Sequence, residues 1–296
     1  MLIIMHPMKR FLLCWLIVLS ASPAFAQTGL IQGTRFDVDI YGNMYVLDGN
    51  QNTLRLYDKS GRLVREIGGP GWLDSQFDRP AAVWARNGID VFVSDYGNHR
   101  VERFDRGLNF VSSFSTHDVA DPDLQFGYPT GLALSRLGEL YICDTENNRV
   151  VKVDRFSTVE RTFGGIGAGG GRLIAPVSVE LGPHDAIYVL DGRRIAVFDP
   201  FGNYLRDLFP SLISRPSALF AGSGVIAVID GDTLYMFDGN ERLEGAFPLG
   251  TMVPPPSDVR ALALGAGTLY MLTAGGLMTF PDPRRPSDIE NNPISH

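Results

Sequence analysis

A short pattern of alternating apolar and polar residues recurs along the chain. Its first part is a strand-like run that ends in an acid in five of its six copies, "MYVLD", "VFVSD", "LYICD", "IYVLD", "IAVID" and "LYMLT". The last residues of successive runs are 47, 49, 47, 39 and 43 positions apart. A tight turn and a second alternating run, such as "RVERFD" or "RVVKVD", follow most copies. A period of two predicts β-strands rather than helices.

Each repeat predicts four short strands. In the third unit they are "PTGLALS", "ELYICD", "RVVKVD" and "TVERTFG", which we call strands a to d. Prolines at the linkers between units, Pro80, Pro129, Pro176 and Pro216, recur just before or at strand a. Short strands separated by Gly, Asn and Asp turns at a regular period are typical of β-propellers. We therefore predict an all-β, six-bladed propeller of four-stranded antiparallel blades spanning residues 27–280.

The sixth predicted blade lacks an outer strand. After Phe280 the chain reads "PDPRRPSDIENNPISH", and its prolines and charges do not suit a strand. We expect residues 281–296 to be a disordered tail. The segment Thr28–Gly33, "TGLIQG", precedes the first blade. We expect this N-terminal strand to pair with the last blade and close the ring, because an open sheet edge would otherwise remain.

The turn between strands b and c resembles the signature of NHL repeats, which are named for Asn-His-Leu. Residues 98–100 read Asn-His-Arg, residues 147–149 read Asn-Asn-Arg, and residues 52–54, Asn-Thr-Leu, are a partial third copy. The linkers "IGGPGWLDSQFDRPAAVWA" and "FGGIGAGGGRLIAPVSVEL" are also similar to the blade connections of this family. The resemblance covers residues 34 to about 280. It implies a six-bladed propeller, commonly a binding platform, although some relatives, such as peptide-amidating lyases, are enzymes.

Residues 1–26 predict a signal peptide. Lys9 and Arg10 precede the apolar run Phe11–Ala21, and an A-x-A cleavage pattern ends at Ala26. The run is shorter than the roughly 20 residues that a membrane span needs. We expect export to the periplasm or the exterior, without a membrane span or lipid anchor. Either Met1 or Met8 is a plausible start, since both precede the basic residues.

Charge narrows the choice of partners. The chain has 26 basic and 33 acidic residues, and loss of residues 1–26 removes two of the basic ones, which lowers the formal charge from −7 to about −9. This balance argues against nucleic acid or an anionic membrane as partner. Cys143 is then the remaining cysteine, so no intrachain disulfide is possible, and we expect a buried, inert thiol. We expect a monomer.

Histidine placement argues against zinc chemistry. The propeller topology puts His99 and His117 on the face of the b–c turns and His184 on the opposite face, while His296 lies in the tail. A zinc site needs converging ligands. The lyase relatives would likewise require histidines from several blades near the channel.

Two other sequence motifs give no support for phosphate binding or for serine hydrolase chemistry. The glycines of "GGIGAGGG" match G-x-G-x-x-G, but a strand-like segment follows them rather than a helix, so no helix N-terminus is available for a phosphate. No G-x-S-x-G motif occurs, which gives no support to a serine hydrolase.

Calcium is the metal that the composition allows. Acids on or near the inner strands, Asp37, Asp39, Glu180 and Asp258, offer the oxygen ligands that Ca²⁺ prefers. Propeller lactonases use such ligands in their channels, together with asparagines that strands a lack here. Sequence register alone does not say which of the four acids point inward. We predict no cofactor and a solvated channel, with Ca²⁺ as the alternative.

The b–c turns surround one mouth of the predicted propeller. The candidate binding rim consists of Asp48, Asn50, Tyr96, Asn98, His99, Arg100, Glu146, Asn147, Arg149, Arg193 and Arg194. In the second blade we expect Asp95 to accept N–H groups across its own turn and Asn98 to adopt the left-handed conformation. We also expect Arg100 and Arg149 to pair with neighbouring aspartates.

His99 is then a turn residue, and no catalytic residue is predicted. Our leading hypothesis is a non-enzymatic platform that binds an unidentified protein, peptide or glycan on the rim. The alternative is a lactonase-like hydrolase or a lyase with a divalent cation in the channel.

Overall fold

The computed structural model describes residues 31–155, 157–222 and 224–284, and this part of the chain is all-β. Six antiparallel sheets follow one another in chain order; five contain four strands and the last contains three. The helical segments in these ranges are 3-10 turns of three residues each. The predicted six-bladed propeller is confirmed.

The sheets are the blades, numbered 1 to 6 in chain order. Blade 1 contains β1 (Arg35–Val38), β2 (Met44–Asp48), β3 (Thr53–Tyr57) and β4 (Leu63–Gly68). Blade 2 contains β5 (Ala82–Trp84), β6 (Asp90–Asp95), β7 (Arg100–Asp105) and β8 (Phe110–Phe114). Blade 3 contains β9 (Pro129–Leu134), β10 (Leu140–Asp144), β11 (Arg149–Val153) and β12 (Val159–Phe163).

Blades 4 to 6 repeat this order. Blade 4 contains β13 (Pro176–Leu181), β14 (Ile187–Asp191), β15 (Arg194–Phe198) and β16 (Tyr204–Asp207). Blade 5 contains β17 (Pro216–Gly222), β18 (Val225–Asp230), β19 (Thr233–Asp238) and β20 (Leu243–Pro248). Blade 6 contains β21 (Ala261–Gly265), β22 (Thr268–Thr273) and β23 (Gly276–Pro281).

The first strands of the blades surround a central channel. Each contacts the first strand of the next blade, and β21 contacts β1, so the cycle is complete. Because consecutive strands are antiparallel, the b–c turns and the interblade linkers share one face. The a–b and c–d turns share the opposite face. We call these two surfaces the linker face and the opposite face.

The core lies between neighbouring blades rather than at one centre. Between blades 1 and 2, for example, Leu47 and Leu54 pack in one buried cluster with Val91 and Val93. The period-two alternation produces this arrangement because each blade directs one set of apolar side chains toward each neighbour. Outer strands such as β4 are largely exposed. Stability therefore depends on an unbroken ring of interblade contacts.

The N-terminal segment contacts the three-stranded blade. The carbonyl of Ile31 accepts a hydrogen bond from the N–H of Leu277 in β23 at 2.8 Å. The Ile31 side chain is 4% exposed and belongs to the cluster shared by blades 5, 6 and 1. Ile31 thus joins the last blade to the start of the first, as the closure hypothesis requires. Residues 28–30 of the expected closing strand, and the expected signal peptide, lie outside the described residues.

The C-terminal end stays packed past the expected boundary at Phe280. Asp282 is buried and its N–H donates to the carbonyl of Gly267. Arg284 pairs with Asp282 at 2.7 Å and with Glu244 at 3.1 Å. These contacts bring four residues of the expected tail into the fold, because the tail's charges find partners on it. Residues 285–296 lie outside the described part. In the ranges that are described, no helix is long and apolar enough to cross a membrane.

Candidate functional site

The b–c turn of blade 2 is a single 3-10 turn, Tyr96–Asn98, that ends at a left-handed residue. That residue is His99, with φ 56° and ψ 39°. Asn148 has the same conformation in blade 3. The expectation that Asn98 is left-handed is therefore wrong by one position. The Asn98 side chain instead donates to Asp95 Oδ2 at 2.7 Å, which holds it inside the turn.

The aspartate that ends strand b binds the linker that enters the same blade. Asp95 Oδ1 accepts the N–H of Asp78 at 2.8 Å. Asp144 accepts from Gly127, and Asp191 accepts from Ile174, in the corresponding positions. The expectation that Asp95 caps its own turn is wrong, because the linker passes directly over the end of the strand. The repeated aspartate therefore connects the linker to the blade through hydrogen bonds.

An arginine at the start of strand c completes this bond in three blades. The ion pairs are Arg100–Asp95 at 2.9 Å, Arg149–Asp144 at 3.0 Å and Arg194–Asp191 at 3.0 Å. The predicted pairing of Arg100 and Arg149 is thereby confirmed. The remaining N–H groups of Arg100 donate to linker carbonyls of Trp72, Leu73 and Gln76. These arginines are thus occupied within the fold, although the sequence placed them on the binding rim.

Blade 1 departs from this arrangement. Asp48 pairs in register with Thr53, as Asp95 does with Arg100, so Thr53 occupies the arginine position. Asn52, with φ 58°, is the left-handed residue. The partial NHL copy therefore lies one residue earlier than the predicted alignment of residues 52–54. Asp48 accepts N–H groups of its own turn, from Asn50 and Gln51, and Arg55 lies 3.9 Å from its Oδ2.

Side chains of blades 2 and 3 meet on the linker face, where Tyr96 and Tyr128 are half-buried and Arg79, His99 and Glu146 are exposed. The rings of Tyr96 and Tyr128 are 4.9 Å apart, and His99 contacts Tyr128 edge-on at 4.4 Å. Tyr96 Oη donates to Glu146 Oε1 at 2.8 Å, and this hydrogen bond raises the pKa of Tyr96. The Arg79 guanidinium lies 5.2 Å from the centre of the Tyr96 ring. We call Arg79, Tyr96, His99, Tyr128 and Glu146 the Tyr96 cluster.

Sequence reasoning missed two members of this cluster. Arg79 and Tyr128 each directly precede a linker proline, at Pro80 and Pro129. The shared position before these prolines is the signal that could have located them.

The remaining predicted rim residues are dispersed over other turns. Asn50 and Arg193 are exposed in the turns of blades 1 and 4, and the Asn147 side chain donates to Asp144. Beside the Tyr96 cluster, the linker that Arg100 holds exposes 78% of Trp72 and 62% of Leu73. The linker face thus combines aromatic, aliphatic and charged groups near blade 2.

The channel contains an arginine that sequence reasoning also missed. Arg86 follows β5 and spans the channel near the opposite face. It contacts Asp37 of blade 1 at 3.1 Å and Glu180 of blade 4 at 2.6 Å. It also donates to the Ala221 carbonyl and lies over the Phe220 ring, both in blade 5. A basic residue after strand a, "AVWAR", was the available signal.

Arg86 stays charged in this setting. Burial alone would lower the pKa of Arg86, but the charges and hydrogen bonds of Asp37 and Glu180 outweigh it and raise that pKa. At this end the channel is not lined by strand residues alone, because the Arg86 side chain occupies it.

The four acids proposed for calcium do not converge. Asp39 accepts from Tyr41 and Asn43 in the a–b turn of blade 1. Asp258 is exposed and pairs with Arg260 at 2.7 Å. The other two, Asp37 and Glu180, both hold Arg86. A divalent cation does not fit this set, since a guanidinium already lies between the two carboxylates. Within the described ranges, no group of three or more His, Cys, Asp or Glu is arranged to hold a metal.

The histidines and the cysteine lie apart. His117 is 90% exposed on a linker, whereas His184 lies in an a–b turn on the opposite face. The Nδ1 atom of His99 is 2.8 Å from the Gly127 carbonyl oxygen. Cys143 is fully buried, and burial raises the pKa of its thiol. His296 lies outside the described residues.

Comparison with known proteins identifies the repeat that contains one of these turns. Residues 126–153 match the model of the NHL repeat. The matched range runs from the linker through strand c of blade 3 and includes the Asp144–Arg149 pair. The chain is a six-bladed propeller that carries an NHL repeat. The Drosophila melanogaster protein brain tumor is 24% identical over 147 residues, which is 47% of this chain but 14% of that protein.

Solved structures share the propeller fold at low identity. Virginiamycin B lyase from Staphylococcus aureus aligns with a TM-score of 0.57 at 14% identity, over 83% of each chain. A chain of a nidogen/laminin complex aligns with a TM-score of 0.54 at 13% identity, over 72% of this chain and 79% of that one. At these identities the similarity establishes the fold alone.

Proposed function

We propose that this propeller binds a protein or peptide on its linker face, at the Tyr96 cluster, and performs no chemistry there. The observation that carries the proposal is the cluster itself. Its side chains are oriented by stacking and hydrogen bonding on two adjacent blades, while Trp72 and Leu73 are exposed beside it. Aromatic and arginine side chains on a rigid scaffold carry much of the energy of protein interfaces.

Aliphatic exposure favours a polypeptide over a glycan. Leu73, Ile166 and Ile174 on the linkers are 62%, 91% and 74% exposed. A shallow groove near Ile174 is lined by Gly169, Gly170, Arg172 and Arg194. Aliphatic side chains gain from contact with apolar protein surface. A propeller of similar fold occurs in the nidogen/laminin complex, which supports a protein partner by analogy of fold.

The channel chemistry of the enzymatic alternative has weaker support. Asp37 and Glu180, which a channel cation would use, are bound to Arg86. The likeness to virginiamycin B lyase is one of fold. The rim is therefore the better candidate for function.

We also propose that the protein is exported and that the mature chain begins at Gln27. The basic pair Lys9–Arg10, the apolar run and the cleavage pattern ending at Ala26 support this. N-terminal sequencing of the protein recovered from a periplasmic or extracellular fraction tests it. A chain that is retained in the cytoplasm with residues 1–26 intact would contradict it.

Selection of binding peptides tests the proposed interface. The full chain is used to select from a library of displayed peptides, and the affinity of one synthetic peptide is measured by fluorescence polarisation. We expect Tyr96→Ala and Tyr128→Ala to weaken binding at least tenfold, because both remove a ring from the stacked pair.

Tyr41→Ala is the matched control. Tyr41 is 55% exposed but lies in an a–b turn on the opposite face, so its loss should leave binding unchanged. Equal binding by wild type and both cluster variants would overturn the proposal, as would a loss confined to Tyr41→Ala.

A further inference from the structure

The end of the channel opposite Arg86 opens on the linker face. A cavity of about 90 Å³ runs along the inner strands and is lined by residues of all six blades. Arg35, the first residue of β1, lines it, as does Arg260 directly before β21. Inner strands begin on the linker face, so these two guanidiniums stand at that mouth. A water occupies about 30 Å³ in the liquid, which means that the cavity admits a few waters or one small planar group.

Arg35 has no counter-charge within the described part of the chain. Among the described residues it forms no ion pair, and its Nη1 donates to the backbone carbonyl of Thr34 at 2.8 Å. Burial, and then the charge of Arg260, lower the pKa of Arg35. The acids that line the cavity, Asp37 and Glu180, are bound to Arg86. A largely enclosed cation thus lacks the anion that would stabilise it.

Arg260 adds a second positive group at the same mouth. Its Nε and Nη2 donate to Asp258 Oδ2, an exposed pair that solvent screens. The lining residues therefore carry three arginines and two acids, in a chain whose formal net charge is −7. Asp258, which is outside the lining, balances Arg260, so Arg35 is the cation of this mouth that forms no ion pair among the described residues.

We propose that the channel mouth is a carboxylate-binding site formed by Arg35 and Arg260. A guanidinium fork matches a planar carboxylate in two parallel hydrogen bonds. The cavity is small, and apolar side chains such as Trp84, Leu132 and Leu219 form much of its wall. These walls suit a carboxylate on a short carbon chain. A bulkier tetrahedral dianion fits them less well.

The site deepens the proposed function, on which it partly rests. A free short-chain acid is one source of the carboxylate. An aspartate or glutamate side chain of a partner bound on the linker face is the other, since the mouth opens among the b–c turns.

Fluorescence of Trp84 tests the site directly. With Trp15 and Trp72 replaced by Phe, Trp84 is the remaining tryptophan of the chain. Sodium acetate is titrated against sodium chloride at equal ionic strength, and the peptide Ac-Gly-Asp-Gly-NH2 is titrated against Ac-Gly-Asn-Gly-NH2. We expect a saturable change with acetate or the Asp peptide that Arg35→Gln weakens about tenfold, since charge-assisted hydrogen bonds are lost.

Arg62→Gln is the matched control because Arg62 is 79% exposed at a distant c–d turn. It should leave both titrations unchanged. A response to acetate alone assigns a free acid as the source, whereas a stronger response to the Asp peptide assigns an acidic side chain.

Measurements of Tm and of peptide binding distinguish a loss of folding from a loss of carboxylate binding. Since Arg35 forms no ion pair in the described ranges, Arg35→Gln should fold with an unchanged or higher Tm. The site is overturned if neither acid changes the fluorescence, if the Asn peptide acts as well as the Asp peptide, or if phosphate binds more tightly than acetate. Loss of peptide binding in Tyr96→Ala with acetate binding intact would support the two sites as separate, and failure of one would not be failure of the other.

Discussion

The turn arginines and the channel arginine all form ion pairs with carboxylates, but they connect different parts of the fold. Arg100, Arg149 and Arg194 each pair with the aspartate that ends strand b of their own blade. Arg86 pairs with acids of blades 1 and 4, which are not neighbours. A turn arginine therefore fixes one linker to its blade, whereas Arg86 connects blades on different sides of the ring. Loss of a contact inside a blade should destabilise only that blade and its linker. Loss of a contact across the ring should destabilise the whole propeller.

Loss of Arg86 should have the largest effect. Arg86→Met leaves Asp37 and Glu180 as buried carboxylates without a counter-charge, which should lower the free energy of unfolding by about 3–5 kcal/mol. Urea unfolding measures it. Arg103→Gln, which removes a surface pair with Asp90, should cost under about 1 kcal/mol.

A second substitution should partly restore the stability that Arg86→Met removes. Adding Glu180→Gln to Arg86→Met should recover part of the stability, because one of the orphaned charges is removed. Similar costs for Arg86→Met and Arg103→Gln would contradict the role of Arg86 as a contact across the ring.

Ring closure should come next in size. Ile31→Ala removes a buried side chain from the cluster of blades 5, 6 and 1, at a cost of about 2–4 kcal/mol. The exposed neighbour Gln32→Ala is the control and should leave the midpoint of urea unfolding unchanged. Deletion of residues 27–33 should lower Tm markedly. A deletion with the wild-type Tm would show that the N-terminal segment does not close the ring.

Glu102 should make blade 2 sensitive to pH. Its Oε1 lies 3.0 Å from Arg100, its Oε2 has no hydrogen-bond partner among the described residues, and burial raises its pKa to about 7. The folded pKa then exceeds the ordinary value of 4.5, so folding favours the protonated acid. Stability from this group is complete below pH 4.5 and is lost as the pH rises through 7.

Glu102→Gln should remove this dependence. Between pH 5 and pH 8 the wild type should lose about 2 kcal/mol more than the variant in urea unfolding. Parallel stability curves for the two proteins would show that Glu102 does not titrate in that window.

A turn arginine should give the smallest and most local effect. Arg149→Gln removes the pair with Asp144 and hydrogen bonds to the Asp123 and Gln125 carbonyls. The cost should be about 1–2 kcal/mol, because Asp144 keeps its hydrogen bonds from Gly127 and Asn147. Hydrogen exchange should rise in the linker, residues 115–128, and not in blades 5 and 6. Arg136→Gln, an exposed a–b turn residue, should leave exchange unchanged. Faster exchange around the whole ring would erase the distinction from Arg86.

Prediction from the sequence succeeded where a feature recurs. The aspartates, the arginines of the b–c turns and the strand alternation each repeat from blade to blade, so the fold and the Arg100 and Arg149 ion pairs were predictable. The left-handed residue of the turn was predicted one position too early, at Asn98 instead of His99. Sequence alone does not separate two neighbouring residues that both adopt left-handed conformations in turns. Tyr128 and Arg79 were missed since their role depends on contact between turns of adjacent blades.

By itself the sequence determined the number of blades, their strand order and the aspartate that recurs at the end of strand b. These depend on local pairing between residues within one repeat, and local pairing is periodic. Only the tertiary structure decided what fills the channel. Asp37, Arg86 and Glu180 are 49 and 94 residues apart and meet because the ring curves back on itself. Such contacts depend on the closure of the ring, and no repeat spacing encodes them.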